Sequence, residues 1–271
     1  MFLKVAVSSL LSRKGSAMMT LMAISVAIFV LLGIEQIRQQ ARDSFASTVS
    51  GVDLIVGAKT GSLNLLLYSV FRIGSPTDNI SWQAYRDIAD SDDVAWAIPI
   101  SLGDSHEGYR VVGTTQAFFE HFSFGKKRNL AFFEGEAFER TFDAVLGSEV
   151  ASALGYSVGT EIILAHGLAS TSFTKHDNQP FVVVGVLAPT GTPVDQTIHV
   201  RLEGIEAMHA GGSTVATGAF TPANVPDTNF SEPESITAFM LGLKSRMSTF
   251  SVQRQINQFA GEPLMAILPG V

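Results

Sequence analysis

A long apolar stretch near the N-terminus constrains this chain more than any other feature of its sequence. Residues 17–34, AMMTLMAISVAIFVLLGI, contain no charged side chain; the nearest charges are Lys14 before them and Glu35 after them. At ~1.5 Å per residue, the uncharged run from 15 to 34 forms a helix long enough to cross the ~30 Å hydrocarbon core of a bilayer. The sequence therefore predicts a membrane-spanning helix. Its predicted spanning residues include Ala17, Leu21, Ile24, Ile28, Leu32 and Ile34.

Two other interpretations fit an apolar stretch at the N-terminus. A cleaved signal peptide has an apolar core of about 7–15 residues followed by a small-residue cleavage site. Here the core is longer and continues into EQIRQQ, which contains no helix breaker. A buried core helix normally carries a polar stripe, yet only Thr20 and Ser25 are polar between 17 and 34. A spanning helix is the favoured interpretation.

The charge of the chain is distributed unevenly around this helix. Up to Ile34 the sequence has three basic residues and no acidic one, whereas the remainder has 15 basic and 25 acidic residues. Because basic residues stay on the cytoplasmic side, this asymmetry predicts a cytoplasmic N-terminus and an exported acidic part. The lack of a basic cluster argues against nucleic acid as a partner. The lack of cysteine excludes disulfides and thiolate metal sites.

Helical patterns flank the spanning helix on both sides. In residues 1–14, MFLKVAVSSLLSRK, apolar side chains recur at helical spacing, which predicts an amphipathic segment on the cytoplasmic membrane surface. Beyond the membrane, apolar residues recur at three- and four-residue steps, so we expect the helix to continue as a stalk with one apolar stripe until Gly51 ends it. Such a helix can carry movement into the following domain. The predicted stalk residues are Ile37, Ala41, Phe45 and Val49.

The remainder of the chain mixes short strand and helix patterns, which predicts an α+β fold. Predicted strands cover 52–56, 94–102, 109–112, 144–146, 160–165, 181–187, 197–201 and 264–268, and residues 236–243 form a further element near the end of the chain. Predicted helices cover 63–71, 81–89, 115–122, 148–154, 202–209 and 248–259. Ser81 and Ser148 are expected to cap their helices. Residues 103–108 are expected to form a polar loop, and residues 210–233 a long loop or linker.

The sequence lacks the motifs that would make this chain an enzyme. It contains no GxxxxGK[ST], so it cannot itself be an ATP-hydrolysing engine of that class, and no GxGxxG, HExxH or GxSxG. None of its six histidines lies three or four residues from another, as a helical two-histidine metal site requires. Residues 90–93, DSDD, lack the Gly and the distal Glu of a calcium loop and are interpreted as a solvated acidic turn. We expect no enzymatic activity, no cofactor and no metal.

Several segments, in their order along the chain, resemble one family of membrane proteins. They are SLLSRKGSAMMTLMAISVAIFVLL, VDLIVGAKTGSLNLLLYSVF, YRVVGTTQAFFEHF, AVLGSEVASALGYSVGTEIIL and FVVVGVLAPTGTPVDQTIHVRLEGIEAMH. The sequence is similar to the permease subunits of MacB-type (type VII) ABC transporters, the superfamily that includes the lipoprotein-releasing LolC and LolE proteins and FtsX. The individual motifs are loose, and their order after one N-terminal spanning helix carries the resemblance.

The resemblance implies a two-lobed periplasmic domain, with a sabre-like lobe inserted into a porter-like lobe. Mapped onto this chain, the parts would be a cytoplasmic amphipathic segment (1–14), the transmembrane helix with the start of the stalk (15–36), the porter-like lobe (37–114 and 232–271) and the sabre-like lobe (115–231). It also implies a bacterial inner-membrane location with the large domain in the periplasm. The implied partners are a cytoplasmic ABC ATPase subunit, a second permease in a homodimer or a pair, and membrane lipid.

Permeases of this kind have four spanning helices, whereas this sequence ends with residues 268–271, LPGV, near where the second would begin. We therefore expect a fragment of a longer permease rather than a natural single-pass relative. The expected function is that of a permease subunit of an ABC-type export or mechanotransmission complex, which couples ATP hydrolysis to periplasmic movement. The alternative is a single-pass, membrane-anchored periplasmic binding or sensor module. No motif identifies the substrate.

Overall fold

The N-terminal helix and the rest of the chain form separate compact units in the computed structural model. The structure describes residues 12–166, 180–210 and 232–269. The chain divides into Met1–Ala46 and Ser47–Val271, and the second unit is called the body below. Most of the predicted amphipathic segment and most of the predicted 210–233 linker lie outside the described residues.

Helix α1, Lys14–Thr48, is continuous for 35 residues. The hydroxyl of Thr20 donates to the carbonyl of Ser16 (3.0 Å), and Glu35 pairs with Arg38 one turn later (2.8 Å). The helix ends three residues before Gly51, the predicted stop. It ends there because Ser50 donates its backbone N–H to the carbonyl of Ser123 (2.9 Å), which takes the chain into a β-bridge.

The body is built from short helices and many strands. Its helices are α2 (Ser62–Ser69), α3 (Trp82–Ala89), α4 (Ala117–His121), α5 (Ser148–Leu154), α6 (Leu202–Ala210) and α7 (Thr249–Asn257), with 3₁₀ turns at Pro193–Gln196 and Arg246–Ser248. Its strands are β1 (Leu54–Ala58), β2 (Ile80–Ser81), β3 (Val94–His106), β4 (Tyr109–Thr114), β5 (Ser123–Phe124), β6 (Arg128–Asn129), β7 (Phe132–Gly135), β8 (Asp143–Leu146), β9 (Glu161–Ile162), β10 (Ala165–His166), β11 (Phe181–Leu187), β12 (Thr197–Arg201), β13 (Ser235–Ile236), β14 (Ala238–Leu243) and β15 (Leu264–Ile267).

One mixed sheet joins eleven of the strands that the structure describes. Its order is β15-β1-β14-β3-β4-β12-β8-β11-β7, with β10 on β3 and β9 on β11. The pairs β12/β4 and β11/β8 are parallel, and the other pairs are antiparallel. Strand β3 is the link, because its first half pairs with β14 and its second half with β4. The predicted lobe boundary at residue 114 falls at the end of β4 and stays a prediction.

Three hydrophobic clusters form the core of the body. One is formed by side chains of β1, β14, β15, α3 and α7, and includes Leu54, Phe239 and Val252. A second lies with β8, β11, β12, α5 and α6, and includes Leu146 and Phe181. The third draws residues from both ends of the sheet, among them Ile55, Tyr68, Phe118, Val145 and Leu187. Each such side chain contributes about 1.5–3 kcal/mol on full burial, so the third cluster fastens the two ends of the sheet together.

The prediction of a polar loop at 103–108 is wrong. Strand β3 continues to His106 and turns tightly into β4 through Glu107 (φ 48°) and Gly108 (φ 85°). Positive φ at both central residues is the geometry of a two-residue type I′ hairpin, which needs no longer loop. The polar residues lie on the strand because Asp104 and Ser105 pair with β10, after an irregularity in the β3/β4 register.

Two further local predictions differ from the structure. The strand predicted at 160–165 is interrupted: β9 pairs with β11, as expected, but β10 pairs with β3. Strand β7, an edge of the sheet, was not predicted. Its short FFEG pattern, with exposed Phe133, lacks the alternation of a half-buried strand.

Candidate functional site

Helix α1 carries a candidate membrane span. Lys14–Gln39 is a 26-residue apolar segment, with a mean hydropathy of 2.5 in its most apolar 18-residue window and none of that window buried. At ~1.5 Å per residue the segment is about 39 Å long, which exceeds the ~30 Å hydrocarbon core of a bilayer. It is the one helix of the described residues with the length and composition to cross a membrane.

The predicted spanning residues all lie on this helix. Ala17 is half-buried, and the other five side chains are between 52% and 67% exposed. Apolar side chains exposed around a whole helix are unfavourable in water and favourable in lipid, where no polar face is needed. The exposed residues among those predicted are Leu21, Ile24, Ile28, Leu32 and Ile34.

The predicted stalk stripe is described only at its two ends. Ile37 is 68% exposed on α1. Ala41 and Phe45 lie on the helical backbone, but their side chains are outside the described part of the structure. Val49 follows the end of α1 and is buried in the core cluster that joins the two ends of the sheet. The assignment of these four residues to a stalk stays a prediction.

The described residues offer no assembled metal site. No group of three or more His, Cys, Asp or Glu side chains is arranged to hold a metal within 12–166, 180–210 and 232–269. The acidic turn at 90–93 is exposed, and Lys244 fixes it by donating from its ammonium group to the carbonyl of Asp92 (2.8 Å) and from its backbone N–H to that of Asp93 (2.9 Å). Its carboxylates remain at the surface.

The fold brings together three basic side chains to which the sequence assigned no role: Arg72, Arg110 and His199. Arg72 follows α2, Arg110 lies on β4, and His199 lies on the neighbouring strand β12. The His199 ring is fully buried and stacks on Phe118 with 4.7 Å between ring centroids. Neither ring nitrogen makes a hydrogen bond of normal geometry with a residue that the structure describes, although one interacts with the backbone of Val145.

The charges of this group influence one another. Burial, aided by the charge of Arg72, lowers the pKa of His199 to about 3, so the ring is neutral near pH 7. Burial, aided by the charge of Arg110, lowers the pKa of Arg72 to about 9. Arg72 and Arg110 are 38 positions apart in the sequence, and Arg110 and His199 are 89 positions apart. A local sequence pattern therefore cannot indicate that the three side chains lie together. The only signal in the sequence is an arginine within the apolar strand pattern of YRVVG.

Comparison with known proteins identifies the family. The family model of the MacB-like periplasmic core domain matches residues 17–259, from within the apolar helix through most of the body. This chain belongs to the MacB-like periplasmic core domain family. The resemblance inferred from the order of the sequence segments is therefore confirmed.

A solved structure shares the fold at low sequence identity. The periplasmic region of MacB from Actinobacillus actinomycetemcomitans superposes with a TM-score of 0.50 at 9% identity, over 82% of this chain and 91% of that one. The extracellular domain of the ABC-type transporter YknZ from Gram-positive bacteria has a TM-score of 0.45 at 11% identity, over 79% of this chain and 98% of that one. A comparison with curated proteins found no match.

The family and the fold together establish the general class of the protein. The α+β prediction with an N-terminal apolar helix and a MacB-like domain is confirmed. The chain carries the MacB-like domain of ABC-type transporter permeases, whose members work with cytoplasmic ATPases and whose permease domains are not themselves enzymes. An apolar helix before such a domain points to a membrane-anchored protein.

Proposed function

We propose that this chain is a permease subunit of an ABC-type export or mechanotransmission complex. In that complex, ATP hydrolysis by a partner ATPase moves a periplasmic domain, and the chain itself catalyses no reaction. The observation that carries the proposal is the family match to residues 17–259, because one match includes both the apolar helix and the body.

The length of α1 supports a role in transmitting movement. Its 35 residues make a helix about 52 Å long, so roughly 20 Å remain beyond the hydrocarbon core. No proline interrupts it, and the Glu35–Arg38 ion pair lies where the apolar segment ends. A continuous helix transmits a displacement along its axis because its backbone hydrogen bonds resist bending. We propose that residues 37–49, the stalk, carry that displacement.

The charge distribution supports an orientation. The basic N-terminus and the acidic remainder follow the positive-inside rule, with the N-terminus in the cytoplasm and the body in the periplasm. We place the helix in the bacterial inner membrane, surrounded by lipid. A cytoplasmic ABC ATPase and a second permease, identical or paired, complete the proposed complex.

Cysteine labelling tests the orientation. The chain has no cysteine of its own, so single replacements report one position each. Met247→Cys lies on the body, where the native side chain is 93% exposed, and Lys14→Cys lies at the start of α1. A membrane-impermeant maleimide should label Met247→Cys in cells with a permeabilised outer membrane and Lys14→Cys only after lysis. Labelling of both in unlysed cells, or release of the body from the membrane, would contradict the proposal.

Co-purification tests the partner. The chain with its membrane helix should co-purify with a cytoplasmic ABC ATPase, whereas the body alone, residues 47–271, should not. Recovery of a signalling protein in place of an ATPase would favour the binding or sensor module. The matched control is the full permease with an ABC ATPase from an unrelated transporter.

A further inference from the structure

A small cavity lies between the segment after α2, strand β4 and the 3₁₀ turn Pro193–Gln196. Its volume is about 280 Å³. This is just below the ~300–1,000 Å³ of pockets that enclose drug-sized ligands, so it suits a small molecule or the head group of a longer one. Its lining includes Phe71, Arg72, Ile73, Tyr109, Arg110 and Gln196.

Two arginines, Arg72 and Arg110, line this cavity. Arg72 donates to the backbone carbonyl of Ser69, and Arg110 donates to that of Gly74. Neither forms an ion pair with an acidic side chain of the described residues. A guanidinium carries five N–H donors, so both retain donors after these backbone contacts.

This pairing of like charges is costly in the absence of an anion. Burial and the charge of Arg110 both lower the pKa of Arg72, which means that its charged form is disfavoured where it lies. Arg72 also has a left-handed backbone, with φ of 59°, which non-glycine residues seldom adopt. A structure that holds two cations together in this way is stabilised when an anion binds between them.

The carboxylate of Glu149 holds one of the residues that line the cavity. Glu149 accepts two hydrogen bonds from the side-chain amide of Gln196 (3.1 and 3.0 Å). This contact orients Gln196 at the rim of the cavity. On the other side, Phe71 and Ile73 give the cavity an apolar wall, and Ile73 is 59% exposed.

We propose that this cavity is a binding site for a phosphate group. Arginine forks match the geometry of phosphate oxygens, and two guanidinium groups balance the charge of about −1.5 to −2 that a phosphate monoester carries at pH 7. A single carboxylate would balance only one of them. The apolar wall accommodates a short carbon chain attached to the phosphate. The site stands on its own geometry and does not depend on the proposed transport function.

Titration calorimetry on the full chain in detergent micelles tests the site. The probes are inorganic phosphate and dihexanoyl phosphatidic acid, with acetate at the same ionic strength as the comparison anion. We expect saturable one-site binding of phosphate and at least about tenfold weaker binding of acetate. Arg72→Gln and Arg110→Gln should each weaken phosphate binding by about tenfold or more, the usual scale for loss of a charge-assisted contact. Arg254→Gln, an exposed arginine on α7, should bind like the unmodified chain.

The two phosphate probes distinguish the source of the ligand. Tighter binding of dihexanoyl phosphatidic acid would assign the site to a lipid head group, and equal binding would assign it to a free phosphate. The first result to consider is the titration of the unmodified chain. If phosphate does not bind saturably, or if acetate binds as tightly as phosphate, the proposal is wrong. Unchanged affinity in folded Arg72→Gln and Arg110→Gln chains would also overturn it. If Arg72→Gln does not fold, as judged by its unfolding temperature, Arg110→Gln decides.

Discussion

At the scale of single residues, the buried basic side chains of the body have the clearest consequences. His199 is enclosed by apolar neighbours and stacked on Phe118, so its charged form has no favourable surroundings. Burial and the nearby Arg72 charge hold its pKa at about 3. The folded body therefore holds His199 in its neutral form, whereas the same side chain in the unfolded chain would be protonated in mild acid.

The His199 pKa predicts a dependence of stability on pH. Its pKa is near 6.5 in the unfolded chain and about 3 in the folded body, so the unfolded state binds the extra proton as the pH falls. The stability that the neutral His199 ring contributes is fully present above about pH 6.5. It is lost as the pH falls from about 6.5 to 3, by up to about 1.4 kcal/mol per pH unit. Urea unfolding from pH 7 to 4.5 should show a shallower loss for His199→Gln than for the unmodified chain. The half-buried His121, replaced by Gln, controls for loss of a histidine. Parallel curves for His199→Gln and the unmodified chain would contradict the assignment.

Gly147 precedes α5 at a point where the backbone is crowded. A Cβ there would lie 2.2 Å from the carbonyl oxygen of Val194 and 2.4 Å from that of Asp195. Because backbone atoms cannot rotate away, Gly147→Ala should lower the free energy of unfolding by about 1–3 kcal/mol. Gly103 on β3 is the control, since a Cβ there meets nothing within 4 Å. Equal stability of the two alanine variants in urea unfolding would contradict this prediction, because it would mean that the backbone beside α5 shifts to make room for the Cβ.

At the scale of elements, helix α1 is the feature on which the functional proposal depends. It is continuous from Lys14 to Thr48 and contains the candidate span and all of the stalk except Val49. A helix can transmit displacement only while its ladder of backbone hydrogen bonds is intact. Breaking the ladder should therefore matter more than changing any one side chain.

Proline substitution in the stalk tests this role. Phe45→Pro removes a backbone donor and clashes with the preceding turn, at a cost of about 3 kcal/mol in a helix interior. In the full complex we expect ATP turnover to continue while transport is lost. Phe45→Ala, which preserves the helix, is the matched control and should retain transport. Transport by the Phe45→Pro complex at the rate of the Phe45→Ala complex would rule out transmission through the stalk.

The two serines predicted as caps behave differently. Ser81 accepts a hydrogen bond from the N–H of Ala84 (3.2 Å) at the start of α3, as predicted. Ser148 is already inside α5, whose N-cap is Gly147 and has no side-chain cap. We expect Ser81→Ala to cost about 1 kcal/mol and Ser148→Ala less than about 0.5 kcal/mol in urea unfolding. A larger loss for Ser148→Ala would reverse this assignment.

These cases show what the sequence could predict and what it could not. The apolar run, the Ser81 cap and strands such as Thr197–Arg201 were predictable, because each depends on residues close in sequence. The cap at Gly147 was not, since the crowding comes from residues 194 and 195 across the fold. The arginine cavity was not predictable either. Arg72 and Arg110 meet only because β3 turns tightly into β4 beside the segment after α2.

At the scale of the whole molecule, one continuous sheet connects the two halves of the body. Strand β3 belongs to both halves of the sheet, and one hydrophobic cluster draws side chains from both ends. A body bound together in this way responds to a displacement as a unit rather than by local unfolding. This property suits a domain that is moved by an ATPase on the other side of a membrane.

We propose that ATP hydrolysis by a partner moves the body, and a distance measured between two bodies can detect this movement. A spin label on Met247→Cys in each of two permeases of the reconstituted complex reports the separation of their bodies by double electron–electron resonance. We expect ATP to shift this distance by several ångströms, on the order of the one-turn displacement known for packed elements. A hydrolysis-deficient ATPase should abolish cycling between the two distances. An unchanged distance distribution while the complex hydrolyses ATP would mean that the bodies do not move.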